Sequence, residues 1–182
     1  MLLTGLLPDI TTDPAIETAT DSVEAGRSGT IVAPVGIRPP LLAAVASRAA
    51  TPLVVLTATG RDAESLTNAL ASWIPGVAML PAWETLPHER LSPQVDTMAR
   101  RIAVLRRLVH PIKGDDSAGS ISVLVVPIRA FLQPIISGLA DLEPVRVRKG
   151  DILDLTETTN RLAELGYERV DMVEGRGQMS VR

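Results

Sequence analysis

A His-Glu pair at positions 88 and 89 is the first place where this chain could do chemistry. Two histidines four apart, with a glutamate after the first, can hold zinc and activate its water. Here the second ligand position is Ser92, and the only other histidine is His110. The metalloprotease pattern therefore fails. A Ser-His-Asp relay would have to use one of these two loop histidines, with no nucleophile-elbow sequence to present the serine. Glu84 and Glu89 flank a proline turn and have the chemistry of an acid/base pair, but solvated or loop-capping carboxylates account for them more simply.

The second candidate is APVGIRPPLL, residues 33–42, which lies between an apparent strand and a helix, where a nucleotide-binding α/β domain keeps its phosphate loop. That loop needs GxxxxGK[ST], whose glycines let backbone N–H groups approach phosphate while the lysine neutralises it. This stretch has one glycine, Gly36, no lysine and no hydroxyl at the magnesium position, and Pro39-Pro40 delete two N–H donors. The magnesium acid is missing as well, because the strand SVLVV runs into Pro127 instead of Asp. Arg38 and Gly36 remain the only handles for a competing reading as a nucleotide-binding helicase or ATPase fragment.

The elements that would position these residues follow from periodicity. Thr30–Ala33 and Leu53–Thr57 are short β-branched runs separated by the Ala/Leu-rich 39–50, which reads as strand, helix, strand. Thr59 caps a helix over about 61–73, Pro75-Gly76 ends it, and 77–80 is a further strand. LPAWETLPHERLSPQVDT, residues 80–97, is then a long loop that Pro81, Pro87 and Pro93 keep out of helix and ladder. Trp83 is expected to pin it by packing on the sheet edge.

Ser92 and Pro93 can open a helix to about Leu108, with Val95, Met98, Ile102, Leu105 and Val109 on an apolar face that must dock and Arg100 and Arg107 opposite. The Arg100, Arg101, Arg106 and Arg107 cluster invites a DNA-backbone reading, but half of it is the expected solvated face. Residues 121–126 form another buried strand, and the alternation implies a parallel sheet covered on both faces.

From about residue 140 the pattern changes. Residues 144–148 read as a basic-edged strand, Lys149-Gly150 as a turn, and Asp154-x-x-Glu157 as a capping box for a helix that Gly166 closes. Residues 169–173 and 178–182 read as a hairpin joined by EGRG. Arg146, Arg148, Lys149, Arg169, Arg176 and Arg182 could offer a positive surface to a protein partner. The expected division is a loosely ordered lead-in over 1–28, an α/β domain over 29–139, and the start of an α+β unit over 140–182 that stops short.

Composition narrows the function classes. The 182 residues carry a net charge of −3 and a pI near 5.4, so no global attraction to nucleic-acid phosphates exists. With no cysteine there is no disulfide framework and no thiolate zinc site, which suits a cytoplasmic protein. Aromatics are 2% of residues, with Phe131 and Tyr167 alone of their kind, so Leu, Val, Ile and Ala must fill the core.

LPAWETLPHERLSPQVDT and, later, GYERVDMVEGRGQMSVR together resemble the N-terminal, UvrB-like region of the bacterial transcription-repair coupling factors, with VVLTATGRDA and RRIAVLRRL pointing to the actinobacterial form. The resemblance implies a degenerate RecA-like (P-loop NTPase-like) domain without a working phosphate loop, followed by a small domain that recruits UvrA. It implies a non-catalytic module with no catalytic, cofactor or metal residues of its own. ATP and magnesium would belong to the parent's DNA translocase motor, and contacts to RNA polymerase and DNA to other parts of the parent. Of the family's UvrA-contacting residues, the one matched is Arg182. A Tyr-rich hairpin of the UvrB kind is not expected from a chain with one tyrosine.

Overall fold

The structure, a computed structural model, describes residues 2–85, 94–115 and 117–181. Its centre is a three-stranded parallel sheet in the order β1-β3-β2, made of β1 (Leu53–Thr57), β2 (Val77–Met79) and β3 (Val123–Pro127). β3 pairs with both neighbours, Val123 opposite Leu53 on one side and Val77 on the other. Every residue of β3 is buried, which is why it is written as an unbroken aliphatic run without alternation.

Helices cover both faces of that central strand. Val123 and Val125 pack with Ala43 and Ala46 of α3 (Arg38–Arg48) and with Ala63 and Leu70 of α4 (Gly60–Leu70). Leu124 and Val126 point the other way, onto Val104 of α5 (Val95–Val109) and Ala130 of the short α6 (Ile128–Phe131). The alanines of α3 let its backbone lie close to the sheet, a packing solution suited to a chain with few large aromatics. Thr59 caps α4 as expected: its Oγ1 accepts from the Asp62 N–H at 3.1 Å and donates to Asp62 Oδ2 at 2.7 Å. The mixed α/β architecture with a helix-flanked parallel sheet matches the sequence reading.

The strand expected at 30–33 does not form. Residues 27–34 have no regular structure, and Ile31 and Val32 are exposed, Val32 to 96%. Both places beside β3 are already taken by β1 and β2, and Gly29 and Pro34 bracket the run with residues that weaken or interrupt an edge ladder. The chain before it is docked, where a loose lead-in was expected. α1 (Leu7–Thr11) buries Leu7 in the core, and the Leu3 N–H donates to the Ser72 carbonyl at 2.7 Å. α2 (Pro14–Glu24), capped by Asp13, is gripped by Arg48, which donates to Glu24, to Asp21 at 2.9 Å and to the buried Thr20 hydroxyl at 2.9 Å.

Beyond residue 140, α7 (Leu155–Glu164) starts on Asp154, whose Oδ1 accepts from the Glu157 N–H at 2.8 Å, and ends at Gly166 with φ +86. Residues 144–148 are irregular, since Pro144 supplies no donor and no strand among the described residues lies alongside to pair with them. The expected hairpin is replaced by a two-residue parallel ladder of β4 (Glu168–Arg169) with β5 (Gln178–Met179). The intervening loop coils back because the Gln178 side-chain oxygen accepts the Glu174 and Gly175 N–H groups at 2.9 and 3.0 Å, and Gly177 takes φ +80.

Candidate interaction site

The first half of the long loop is built around one tryptophan and one arginine. The Trp83 backbone N–H donates to Gln133 Oε1 at 2.7 Å and its carbonyl accepts from Gln133 Nε2 at 3.2 Å, so a single amide side chain holds the two peptide groups flanking Trp83. Arg129 donates to the Glu84 carbonyl at 3.1 Å. Arg101, 1% exposed, lays its guanidinium 4.5 Å from the Trp83 ring centre and donates to the Pro81 carbonyl at 2.6 Å. Burial, with no carboxylate beside it among the described residues, pushes its pKa down. Trp83 is thus held by a cation and an amide; the expected packing on the sheet edge is not what fixes it.

One turn earlier on α5, the Thr97 hydroxyl donates to Glu84 Oε1. What burial Glu84 has pushes its pKa up. The Thr97 bond, backbone N–H groups including that of Gln94, and the Arg129 charge outweigh this and hold the carboxyl below the ordinary glutamate range. A depressed carboxyl tied into a loop cannot serve as a general acid at neutral pH. His88, Glu89 and Ser92 lie outside the described residues, as does the Ser92-Pro93 opening of α5; among the described residues no group of acids and histidines is arranged to hold a metal ion. His110 is exposed at the end of α5, its Nε2 2.7 Å from Asp141 Oδ1.

The arginines of α5 are mostly spent on the fold. Arg101 is buried, Arg107 donates to the Gly119 carbonyl at 2.9 Å, and Arg106 reaches the Leu142 carbonyl at 3.2 Å and Glu143 at 3.6 Å. Arg100, exposed, pairs with Asp96 one turn back. A continuous phosphate-binding stripe is therefore not presented. α5 is also rotated from the expected orientation: it buries Thr97, Arg101, Val104 and Leu105, and leaves Val95, Met98 and Val109 exposed. An arginine at a buried position escaped the sequence reading; the signal lay in its place four after Thr97 and three before Val104, with a tryptophan upstream to receive it.

The uncovered stripe of α5 lines a cleft of about 820 Å³, whose far wall comes from Leu142, α7 and the 166–178 segment. At its mouth Gly177 sits with Val95 Cγ1 only 3.0 Å from where a Cβ would stand, and Arg176 pairs with Asp96. Both motif segments singled out in the sequence therefore converge on the first turns of α5: Glu84 on Thr97, and Arg176 on Asp96. Of the basic residues expected to form a surface, Arg176 pairs with Asp96 and Arg146 lies 3.9 Å from Asp115, while Arg148, Lys149 and Arg169 are exposed. Arg182 lies outside the described residues. At the phosphate-loop position, Val35–Ile37 form a 3-10 turn leading into α3, whose first turn contains Pro39 and Pro40, with Gly36 and Arg38 exposed. No helix among the described residues is long and apolar enough to cross a membrane.

No protein-family model matches the chain. It is 46% identical over 156 residues to the transcription-repair-coupling factor of Mycobacterium tuberculosis, covering 84% of this chain and 12% of that protein. Its identity to the factor of Escherichia coli is 27% over 144 residues, 78% of this chain and 12% of the relative, and to that of Bacillus subtilis 26% over 144 residues, 76% and 11%. The chain spans about an eighth of the length of the curated relatives it matches. It accordingly belongs to the transcription-repair-coupling factor family, as a homologue of the N-terminal region of its members.

Proposed function

We propose that this chain is a non-catalytic, cytoplasmic interaction module of the degenerate RecA-like kind, acting in transcription-coupled excision repair by recruiting UvrA. The parent protein on this reading is an ATP-dependent translocase that displaces stalled RNA polymerase, and its ATP, magnesium, polymerase and DNA sites lie elsewhere in it. The match to the mycobacterial factor over 84% of the chain carries the proposal. The proline-blocked first turn of α3 supports the non-catalytic part, because the backbone donors that would cradle a triphosphate are deleted there.

UvrA would be met by the stretch of chain from β5 through position 182, the Arg182 guanidinium meeting an acidic surface and setting specificity and on-rate more than raw affinity. Arg182→Ala should weaken UvrA binding about tenfold in surface plasmon resonance, mostly through a slower association. Equal affinity of the variant and the parent chain would overturn the assignment of that residue.

A further inference from the structure

We infer that the outer edge of β1 is a docking site for a second copy of this chain, the two β1 strands pairing antiparallel so that their sheets become one, independently of any contact with UvrA. β1 stands at the end of its sheet, and no strand among the described residues lies outside it. The Leu53 N–H donates to the Ser122 carbonyl at 2.9 Å. Because direction alternates along a parallel ladder, residues 53, 55 and 57 turn their peptide groups to β3, while Val54 and Leu56 turn theirs outward. The same two residues are half exposed, at 52% and 48%, although both carry aliphatic side chains. They stand in register with Leu124 and Val126, on the sheet face where α6 leaves Ile128 and Phe131 uncovered. The usual protections of an edge are not written into LVVLT: it holds no charge and no proline, and its register with β3 runs unbroken.

These features specify the occupant. Outward N–H and C=O groups in alternation call for an extended backbone, and the aliphatic row beside them calls for aliphatic side chains at every second position. A second β1 supplies both. About a twofold axis through Val55, perpendicular to the sheet, Val54 faces the partner's Leu56 and Leu56 faces the partner's Val54. Each such pair exchanges both of its N–H···O bonds and keeps its side chains on one face. The aliphatic row then continues across the axis, and no charge on either strand opposes its copy. The surface covered is small, so the dimer belongs to the weak class, prevailing at about 100 μM and dissociating near about 1 μM.

The test is sedimentation velocity of the 182-residue chain over that concentration range, with Leu56→Lys and with single-cysteine variants, which report cleanly because the chain has no cysteine of its own. Expected are a reversible monomer–dimer equilibrium and a dimer weakened about tenfold or more by Leu56→Lys, which puts a charge on the shared edge. Leu56 is half exposed, so the melting temperature of that variant should stay close to that of the parent chain. A second readout does not depend on that variant. Val55→Cys lies on the axis, in the non-hydrogen-bonded position where antiparallel strands approach most closely, and should oxidise to a covalent dimer. Val32→Cys, at a position 96% exposed but outside the sheet, should cross-link more slowly. A chain that stays monomeric at the highest concentration overturns the inference. So does a dimer that Leu56→Lys leaves intact, which assigns the contact to another surface such as the α5 cleft, and so does assembly beyond the dimer, which requires a head-to-tail contact. Cross-linking of Val32→Cys as fast as that of Val55→Cys overturns it as well.

Discussion

Arg101 shows how one residue can carry the connection between two parts of a chain. Among the described residues its guanidinium is withdrawn from water without a carboxylate, an arrangement that costs free energy unless the cation finds other partners. It finds two: the face of Trp83 and the carbonyl of Pro81. Truncation removes the cation–π contact, leaves that carbonyl unpaired and opens a void, so Arg101→Ala should destabilise the chain by about 2–4 kcal/mol in urea unfolding. Trp83 emission should shift to the red in the same variant under native conditions, as its ring gains water. Little of this was legible in the sequence. An arginine on an amphipathic helix is normally solvated, and only the contact with a tryptophan eighteen positions upstream says otherwise.

Among the elements, those defined by local rules were legible and those defined by partners were not. β1, β2, β3, α4 and α7 stand close to where hydrophobic period and caps placed them, because a cap such as Thr59 or Asp154 acts within three residues. The strand at 30–33, the orientation of α5 and the parallel ladder of β4 with β5 depend on what lies alongside, which periodicity does not encode. The turn into β2 combines both kinds of constraint. Gly76 has φ +75, and a Cβ there would stand 2.8 Å from Ser122 Oγ and 2.9 Å from the Ser120 carbonyl oxygen. Gly76→Ala therefore meets a strained backbone and a collision with β3's lead-in, and should lower stability by about 2–4 kcal/mol, read as a fall in melting temperature.

At the scale of the whole molecule, the 80–85 loop and the 110–120 connection each hang on a carboxyl whose pKa is held down. Glu84 is held by Thr97 and backbone donors against the upward push of its burial. Asp115 is held by the Ser117 hydroxyl, by the N–H groups of Ala118 and Ser117, and by Arg146. A folded-state value below the unfolded one means that the unfolded chain takes up protons first. The stabilisation is thus fully present at neutral pH and is lost as pH falls through about 4 and below. Acid titration followed by circular dichroism should show stability declining in that range, and Glu84→Gln and Asp115→Asn should each flatten the decline. The sequence by itself determined that this is an aliphatic α/β chain in which residues 33–42 lack the GxxxxGK[ST] pattern, because residue identity and short spacing suffice to place most strands, caps and prolines. Only the tertiary structure decided that two motifs some ninety residues apart meet on the first turns of α5 and that an apolar stripe is left lining a cleft, because those outcomes depend on which surfaces compete for the same neighbour.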